Sequence, residues 1–164
     1  MIKIAEAKKL SPFDGEISPF PMERLIEQAI IEGDWVSIHT EAPWGGSLDT
    51  LRMARKMTTK PILAKGIHKT DESIQAAFDL GANYVLCVGR NPNINNVIIE
   101  PIQMGDFSDY PVVLWNRRDL STGKPKVFNW ADVRKTYKGI LGCGSYGYPF
   151  PWDADFCLYS IRPK

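Results

Sequence analysis

Charged and amide side chains follow short apolar runs at three places in the chain. These runs are IKIAEAK at 2–8, PILAK at 61–65 and VVLWNRR at 112–118. Side chains in a strand alternate between two faces, so Glu6 and Lys8 share one face of the first run. By the same alternation Asn116 and Arg118 share one face of the third run, while Lys65 ends the second. Lysines and carboxylates that meet at strand ends can exchange protons with a bound molecule, which is general acid–base chemistry.

Strand-like and helix-like segments alternate along the chain, which is typical of an α/β fold with a parallel sheet. The pattern predicts eight strands, at 2–8, 35–39, 61–65, 84–88, 97–100, 112–116, 139–143 and 155–159. It predicts helices at 21–31, 47–57, 70–80 and 130–137. Apolar residues come first in the key strands and polar residues last. That layout predicts an eight-stranded parallel β/α (TIM) barrel with its chemistry at the carboxyl ends of the strands.

The length limits how complete such a barrel can be. With 164 residues, we expect one domain, a single truncated β/α barrel over residues 1–164. A β/α barrel usually needs roughly 250 residues. Turn-rich sequence replaces the helices after the fourth, fifth and eighth strands, so we predict a reduced barrel with several outer helices missing. The bare strands would expose apolar faces, and we expect a second subunit, in a homodimer, or loops such as 146–152 to cover them.

Composition argues against several classes of partner. The net charge is +1 and no basic stripe is present, so we expect no nucleic acid partner. No apolar stretch approaches the ~20 residues that span a bilayer, and Met1 precedes strand-like sequence rather than a signal peptide. Cys87, Cys143 and Cys157 form no CxxC pair, which favours reduced structural thiols and a cytoplasmic location. His39 and His68 are too few and too isolated to suggest a metal site, and we expect no metal or cofactor.

Three motifs resemble those of the indole-3-glycerol phosphate synthase family, β/α barrels of tryptophan biosynthesis. Residues 4–15 (IAEAKKLSPFDG) resemble its first-strand motif, 37–51 (SIHTEAPWGGSLDTL) its second and 114–120 (LWNRRDL) its sixth. Residues 61–67, 79–88 and 97–100 look like its third, fourth and fifth strands. The resemblance is specific over residues 2–88 and 112–121, weak over 89–111 and poor after 122.

The resemblance implies a role for each catalytic match. Lys65 matches the general-acid lysine that protonates the substrate carbonyl. Lys8 matches the lysine that holds the substrate carboxylate and assists catalysis. Glu6 matches the first-strand glutamate and Glu100 the fifth-strand acid/base glutamate. Asn116 matches an asparagine that positions the substrate.

Four further residues are implied in substrate binding. Arg118 matches the sixth-strand arginine, and Ser11 matches a serine on the phosphate side after the first strand. Ser145 and Ser160 would lie near the phosphate group. The implied reaction is ring closure of a small phosphorylated substrate, carboxyphenylamino-deoxyribulose phosphate, with loss of CO₂ and water.

The chain also departs from the family pattern. Gly66 stands where an aspartate usually follows the catalytic lysine, and residues 142–145 (GCGS) stand where the seventh strand normally ends in a glutamate. We expect no N-terminal helical extension, since strand-like sequence begins at Ile2. One alternative is a degenerate barrel that binds a phosphorylated or anthranilate-like ligand, or a partner protein, without turnover. Another phosphosugar barrel activity is a third possibility, against which the sixth-strand motif argues.

Structural roles compete with several of these assignments. Glu100 precedes Pro101 and could simply cap a strand end, and Ser11 precedes Pro12 and could be a turn residue. Trp44 fits either a lid that stacks on the indole or an ordinary packed aromatic. Gly45 and Gly46 indicate a flexible loop rather than a phosphate cradle, because no GxGxxG pattern surrounds them.

Overall fold

The computed structural model describes residues 1–102, 107, 109–126, 129–144 and 150–161. Its barrel strands are β1 (Ile2–Ala7), β4 (Trp35–His39), β5 (Ile62–Lys65), β6 (Tyr84–Val88), β7 (Val97–Glu100), β8 (Val112–Asn116), β9 (Ile140–Gly144) and β10 (Phe156–Ser160). These eight parallel strands close in the order β1-β10-β9-β8-β7-β6-β5-β4. Two short strands, β2 (Leu10–Ser11) and β3 (Gly15–Glu16), form an antiparallel hairpin after β1. The predicted eight-stranded parallel barrel is confirmed.

The helices begin and end close to the predicted positions. They are α1 (Met22–Glu32), α2 (Leu48–Met57), α3 (Asp71–Asp79) and α4 (Trp130–Thr136), with a 3₁₀ turn at Ala42–Trp44. The Ser47 hydroxyl accepts a hydrogen bond from the Thr50 backbone N–H at 3.1 Å. Thr70 accepts one from the Ser73 N–H at 3.2 Å. Both side chains satisfy backbone donors that a first helical turn leaves unpaired, as N-caps do.

The barrel interior has an apolar layer beneath a polar one. The apolar layer consists of Ile4, Leu63, Leu86, Ile98, Leu114, Phe156 and Leu158. Side chains two residues further along a strand return to the same face. This alternation therefore places Glu6, Lys65, Glu100 and Asn116 directly above four of these apolar residues. The polar layer thus follows from strand alternation once the barrel closes.

The outer wall is covered by loops where helices are missing. No described residue between β6 and β7, between β7 and β8, or after β10 is helical. The outward side chains Val85 and Ile99 are nevertheless fully buried, and the cluster that contains them packs against Ile94 and Tyr110. Loops of this one chain therefore bury the outer faces of β6 and β7. The sequence had left either loops or a second subunit as their cover.

The predicted loop cover after β9 is described in part. Phe150 packs against Cys143 and Cys157 on the outer face of β9 and β10, while residues 146–149 lie outside the described residues. The homodimer stays a prediction, now without exposed strand faces on the described wall to motivate it. Sedimentation velocity at micromolar concentration checks it, and a stable monomer would contradict it.

The helices of the described chain are short, with α1 the longest at 11 residues. Among these described helices, none has both the length and the apolar character that crossing a bilayer requires.

Candidate functional site

A small cavity opens at the carboxyl-terminal mouth of the barrel. Its lining includes five residues that the sequence singled out, namely Lys8, Lys65, Glu100, Asn116 and Arg118. They belong to β5, β7 and β8 or to the residues just after β1 and β8, so barrel closure brings distant parts of the chain to one mouth. Apolar side chains such as Phe13 and Trp44 complete the wall.

Lys65, which lines the cavity, forms an ion pair with Glu6, which is not among the described lining residues. Lys65 Nζ lies 3.3 Å from Glu6 Oε2, and the Glu6 side chain is fully buried. Burial by itself would raise the pKa of Glu6, but the positive charges of Lys65 and Lys8 outweigh burial and lower it to about 2. Glu6 is therefore ionised at neutral pH. Its second oxygen, Oε1, is buried and has no hydrogen-bond partner among the described residues.

Glu100 shares the polar layer but has the opposite pKa shift. Burial raises its pKa, and the positive charges of Lys65 and Lys126 offset only part of that effect. Asn116 Nδ2 donates to Glu100 Oε2 at 3.4 Å. Two carboxyl groups whose pKa values move apart are suited to different tasks, one as an anion and one as a proton donor.

Arg118 joins the hairpin to the loop that follows β8. Its guanidinium lies 2.8 Å from the Asp14 carboxylate, and its Nε donates to the Gly123 carbonyl at 2.7 Å. The Arg118 guanidinium also lies over the Phe13 ring, 5.2 Å from its centroid. The β2–β3 hairpin is thereby held at the mouth, where Phe13 contributes to the cavity wall. The sequence did not predict this hairpin.

The predicted serines are placed less centrally. The Ser11 hydroxyl accepts a hydrogen bond from the Phe13 backbone N–H at 3.1 Å, as a turn residue does. Ser160 pairs in register with Glu6 across β10 and β1. Neither serine is among the described residues that line the cavity. Ser145 lies outside the described residues, so its predicted phosphate contact stays a prediction.

Gly66 and Gly144 lie in two regions where the chain departs from the family pattern, and they differ in how much space surrounds them. A Cβ on Gly66 would lie 2.7 Å from Thr40 Oγ1 and 2.9 Å from His68 Cε1, so no aspartate fits there without displacing them. A Cβ on Gly144 would meet Leu114 at 3.4 Å, an ordinary contact. Packing therefore explains the glycine at 66, and nothing in the packing requires the one at 144.

His39 is a cavity residue that the sequence analysis did not assign to the site. It ends β4 and lines the cavity. Its ring stacks on Trp44 with centroids 4.6 Å apart and planes 9° apart. Strand alternation offered a signal, since His39 shares a face with Ser37, whose hydroxyl lies 3.5 Å from Glu6. Trp44 both packs on His39 and lines the cavity, so the two roles weighed for it are compatible.

Titratable groups elsewhere give no sign of a metal centre. Across the described ranges, no three His, Cys, Asp or Glu residues are grouped so that they could hold a metal ion. Cys87, Cys143 and Cys157 are buried free thiols.

Comparison with known proteins supports the fold. No family model matches the chain. A similar solved structure is 3-keto-L-gulonate-6-phosphate decarboxylase from Vibrio cholerae O1 biovar El Tor, with a TM-score of 0.67 and 13% sequence identity. The match covers 98% of this chain and 87% of that chain. At this identity the likeness shows a shared TIM-barrel fold alone.

Proposed function

We propose that the protein is an indole-3-glycerol phosphate synthase, a carboxy-lyase that closes the indole ring of carboxyphenylamino-deoxyribulose phosphate. One observation carries the proposal: Lys65 Nζ lies 3.3 Å from Glu6, and Lys65 lines a cavity together with Lys8 and Glu100. The resemblance of three strand motifs to that family supports it. The similar solved barrel is by its name a 6-phosphate decarboxylase, which is compatible with the proposal.

Lys65 supplies the proton for ring closure in this proposal. The aromatic carbon that bears the carboxylate attacks the substrate carbonyl carbon, while the carbonyl oxygen takes a proton from the Lys65 ammonium. The new C–C bond forms, and the bond to the carboxylate then breaks, so CO₂ leaves and its electron pair restores the aromatic ring. The ionised Glu6 holds the Lys65 ammonium in place before transfer.

Glu100 serves the dehydration step. Its raised pKa favours the protonated form, which can deliver a proton to the departing hydroxyl so that water leaves. The resulting carboxylate then accepts the proton lost from the adjacent carbon, which restores Glu100. The overall reaction takes up one proton, and Lys65 recovers it from solvent. Asn116 holds the Glu100 carboxyl group in position by the hydrogen bond described above.

The anionic groups of the substrate need cations or amides. Lys8 and Arg118 line the cavity. Lys8 is the proposed contact for the substrate carboxylate, and Arg118 is proposed to help position the substrate. Ser11, Ser145 and Ser160 remain the proposed phosphate-side residues. The buried free thiols fit the proposed cytoplasmic location.

The test compares wild type with Lys65→Arg in a fluorescence assay for indole formation. Arginine keeps the positive charge beside Glu6, but its guanidinium does not give up a proton in proteins. We expect turnover to fall by about 10²-fold or more, because a general acid contributes at least that much. Lys135→Arg, on the exposed side of α4, is the matched control and should keep wild-type turnover.

The same assay decides between an enzyme and a binding protein. If wild type yields no indole while a reduced analogue of the substrate binds tightly in a titration, the barrel keeps the pocket and lacks the reaction. Residues 142–145 contain no carboxylate where the family's seventh strand ends in a glutamate, and this departure favours the second candidate. Equal turnover by Lys65→Arg and wild type would remove Lys65 from the chemistry.

A further inference from the structure

His39 is fixed in one orientation at the edge of the cavity. It is the last residue of β4 and pairs in register with Lys65 on the neighbouring strand β5. Only 5% of its surface is exposed. Trp44 stacks against the ring. Gly46 lies so close to the His39 backbone carbonyl that a side chain there would collide with it. Trp44 therefore lies against one face of the imidazole, and Gly46 packs against the backbone that carries it.

One hydrogen bond determines the tautomer of His39. Its Nδ1 lies 3.1 Å from the Glu41 backbone nitrogen, whose N–H can only donate. Nδ1 must therefore be the acceptor, and a neutral His39 carries its proton on Nε2. His68 shows the opposite arrangement, because its Nδ1 lies 2.6 Å from the Leu86 carbonyl oxygen and must donate to it.

The surroundings keep His39 uncharged. Burial lowers the pKa of His39 to about 3, with Lys65, Lys8 and His68 acting in the same direction and only Glu6 opposing. At neutral pH the ring is thus a neutral hydrogen-bond donor beside a cation. Such a donor can stabilise developing negative charge on an oxygen without taking part in proton exchange.

We propose that His39 is a further substrate-contacting residue, whose Nε2–H donates a hydrogen bond to the same carbonyl oxygen that Lys65 protonates. This inference rests on the proposed function. Neighbouring parallel strands lie about 4.8 Å apart, so inward groups at paired positions of β4 and β5 can both reach one oxygen between them. Lys65 then transfers its proton, while His39 keeps its own throughout.

The first test reads the tautomer directly and needs no turnover. The chain has two histidines, so a long-range ¹⁵N–¹H NMR spectrum contains two imidazole patterns, assigned with His39→Gln. We expect the Nε2–H form for His39 and the Nδ1–H form for His68. A reduced substrate analogue, with an alcohol in place of the carbonyl, should shift the His39 Nε2 resonance. An Nδ1–H form of His39 would overturn the inference.

The second test separates a donor from a packing residue by kinetics. His39→Leu removes the donor, and we expect kcat to fall by about 10²-fold, the usual cost of one such donor, with KM little changed. His39→Gln restores an N–H near the same place and should recover part of kcat. Thermal melting of both variants reports their folding. Wild-type kcat in a folded His39→Leu variant would refute the inference while leaving the proposed function intact.

Failure of the proposed function gives a different result. In that case wild type itself forms no indole, and calorimetric titration with the reduced analogue takes the place of kinetics. Weaker binding by His39→Leu than by wild type would support the contact. Equal binding by both proteins, or no binding by either, would overturn it.

Discussion

Glu6 and Glu100 are the same residue type on the same interior layer, yet the barrel shifts their pKa values in opposite directions. Both are fully or almost fully buried. Glu6 pairs with Lys65 and has a pKa lowered to about 2, whereas burial dominates at Glu100 and raises its pKa. The close Lys65 ammonium offsets the effect of burial at Glu6, whereas at Glu100 the effect of burial is larger than that of the nearby positive charges.

Glu100→Gln tests the acid assigned to dehydration. Glutamine keeps a neutral group that can bond Asn116 but has no proton to deliver. We expect kcat to fall by about 10²- to 10⁴-fold, the range for general acid–base catalysis. The melting temperature at pH 7 should not fall. Wild type loses stability either by protonating Glu100 at pH 7 or by burying its negative charge, and a neutral glutamine avoids both costs.

Glu16→Gln, in the exposed strand β3, is the matched control and should leave both kcat and the melting temperature unchanged. Full activity of Glu100→Gln would exclude Glu100 as the acid. A clear fall in the melting temperature of Glu100→Gln together with the fall in kcat would indicate a structural role instead.

At the scale of elements, β9 depends on glycine at one position and only tolerates it at the next inward position. A Cβ on Gly142 would overlap the ring of Phe156, which fills the barrel interior. A Cβ on Gly144 would make an ordinary contact with Leu114 at 3.4 Å. The two glycines lie on the same face of one strand, so each is a control for the other.

Gly142→Ala should therefore lower the free energy of unfolding by about 1–3 kcal/mol, the usual cost of overpacking a core. Gly144→Ala should change it by much less, since no neighbour has to move. Denaturation by urea, with circular dichroism as the probe, measures both values. Equal stability of the two variants would show that Phe156 can move aside and that the interior is less tightly packed than described.

The hairpin of β2 and β3 is the element that sequence reasoning missed. Each of its strands has two residues, which is too short for a periodic pattern to register. Its position at the mouth depends on Asp14 contacting Arg118, a residue 104 positions away in the chain. Local sequence contains no information about such a contact.

The stability of the whole molecule should fall in mild acid because of its buried histidines. His39 has a pKa of about 3 in the folded protein against a usual 6.5, and burial also lowers the pKa of His68. Between pH 6.5 and about pH 3, His39 binds a proton in the unfolded chain but not in the folded protein. The free energy of unfolding therefore decreases as pH falls below 6.5. Glu6 adds a loss only below pH 4.5, and the raised pKa of Glu100 acts in the opposite direction.

We expect His39 alone to account for a loss of about 1.7 kcal/mol between pH 6.5 and pH 5, because the slope rises from half of 1.36 kcal/mol per unit of pH at pH 6.5 to nearly all of it at pH 5. Urea denaturation at the two pH values measures it, and the His39→Gln variant should lose less than wild type over the same range. A His39→Gln variant that loses as much stability as wild type over this range would contradict the neutral, buried state of His39.

The sequence by itself determined the eight barrel strands, most helix limits and the interior face of each key strand. It could do so because period-two alternation, N-caps such as Ser47 and terminal glycines act over a few neighbouring residues. For the same reason it identified Glu6, Lys65 and Asn116 as polar groups on the inward face near strand ends, whereas Glu100 was identified only through the family resemblance. Their expected roles came from a family resemblance rather than from the pattern, and they remain proposals.

Only the tertiary structure decided which of these groups meet and in what charge state. The Glu6–Lys65 pair, the tautomer of His39 and the crowding around Gly66 arise from contacts between residues far apart in the chain. Loops also cover the described outer wall beside β6 and β7, where the sequence left a second subunit or loops as alternatives. A pKa depends on burial and on charges within a few ångströms, and strand alternation specifies neither. The sequence thus determined which side chains point inward, and barrel closure determined what each of them can do there.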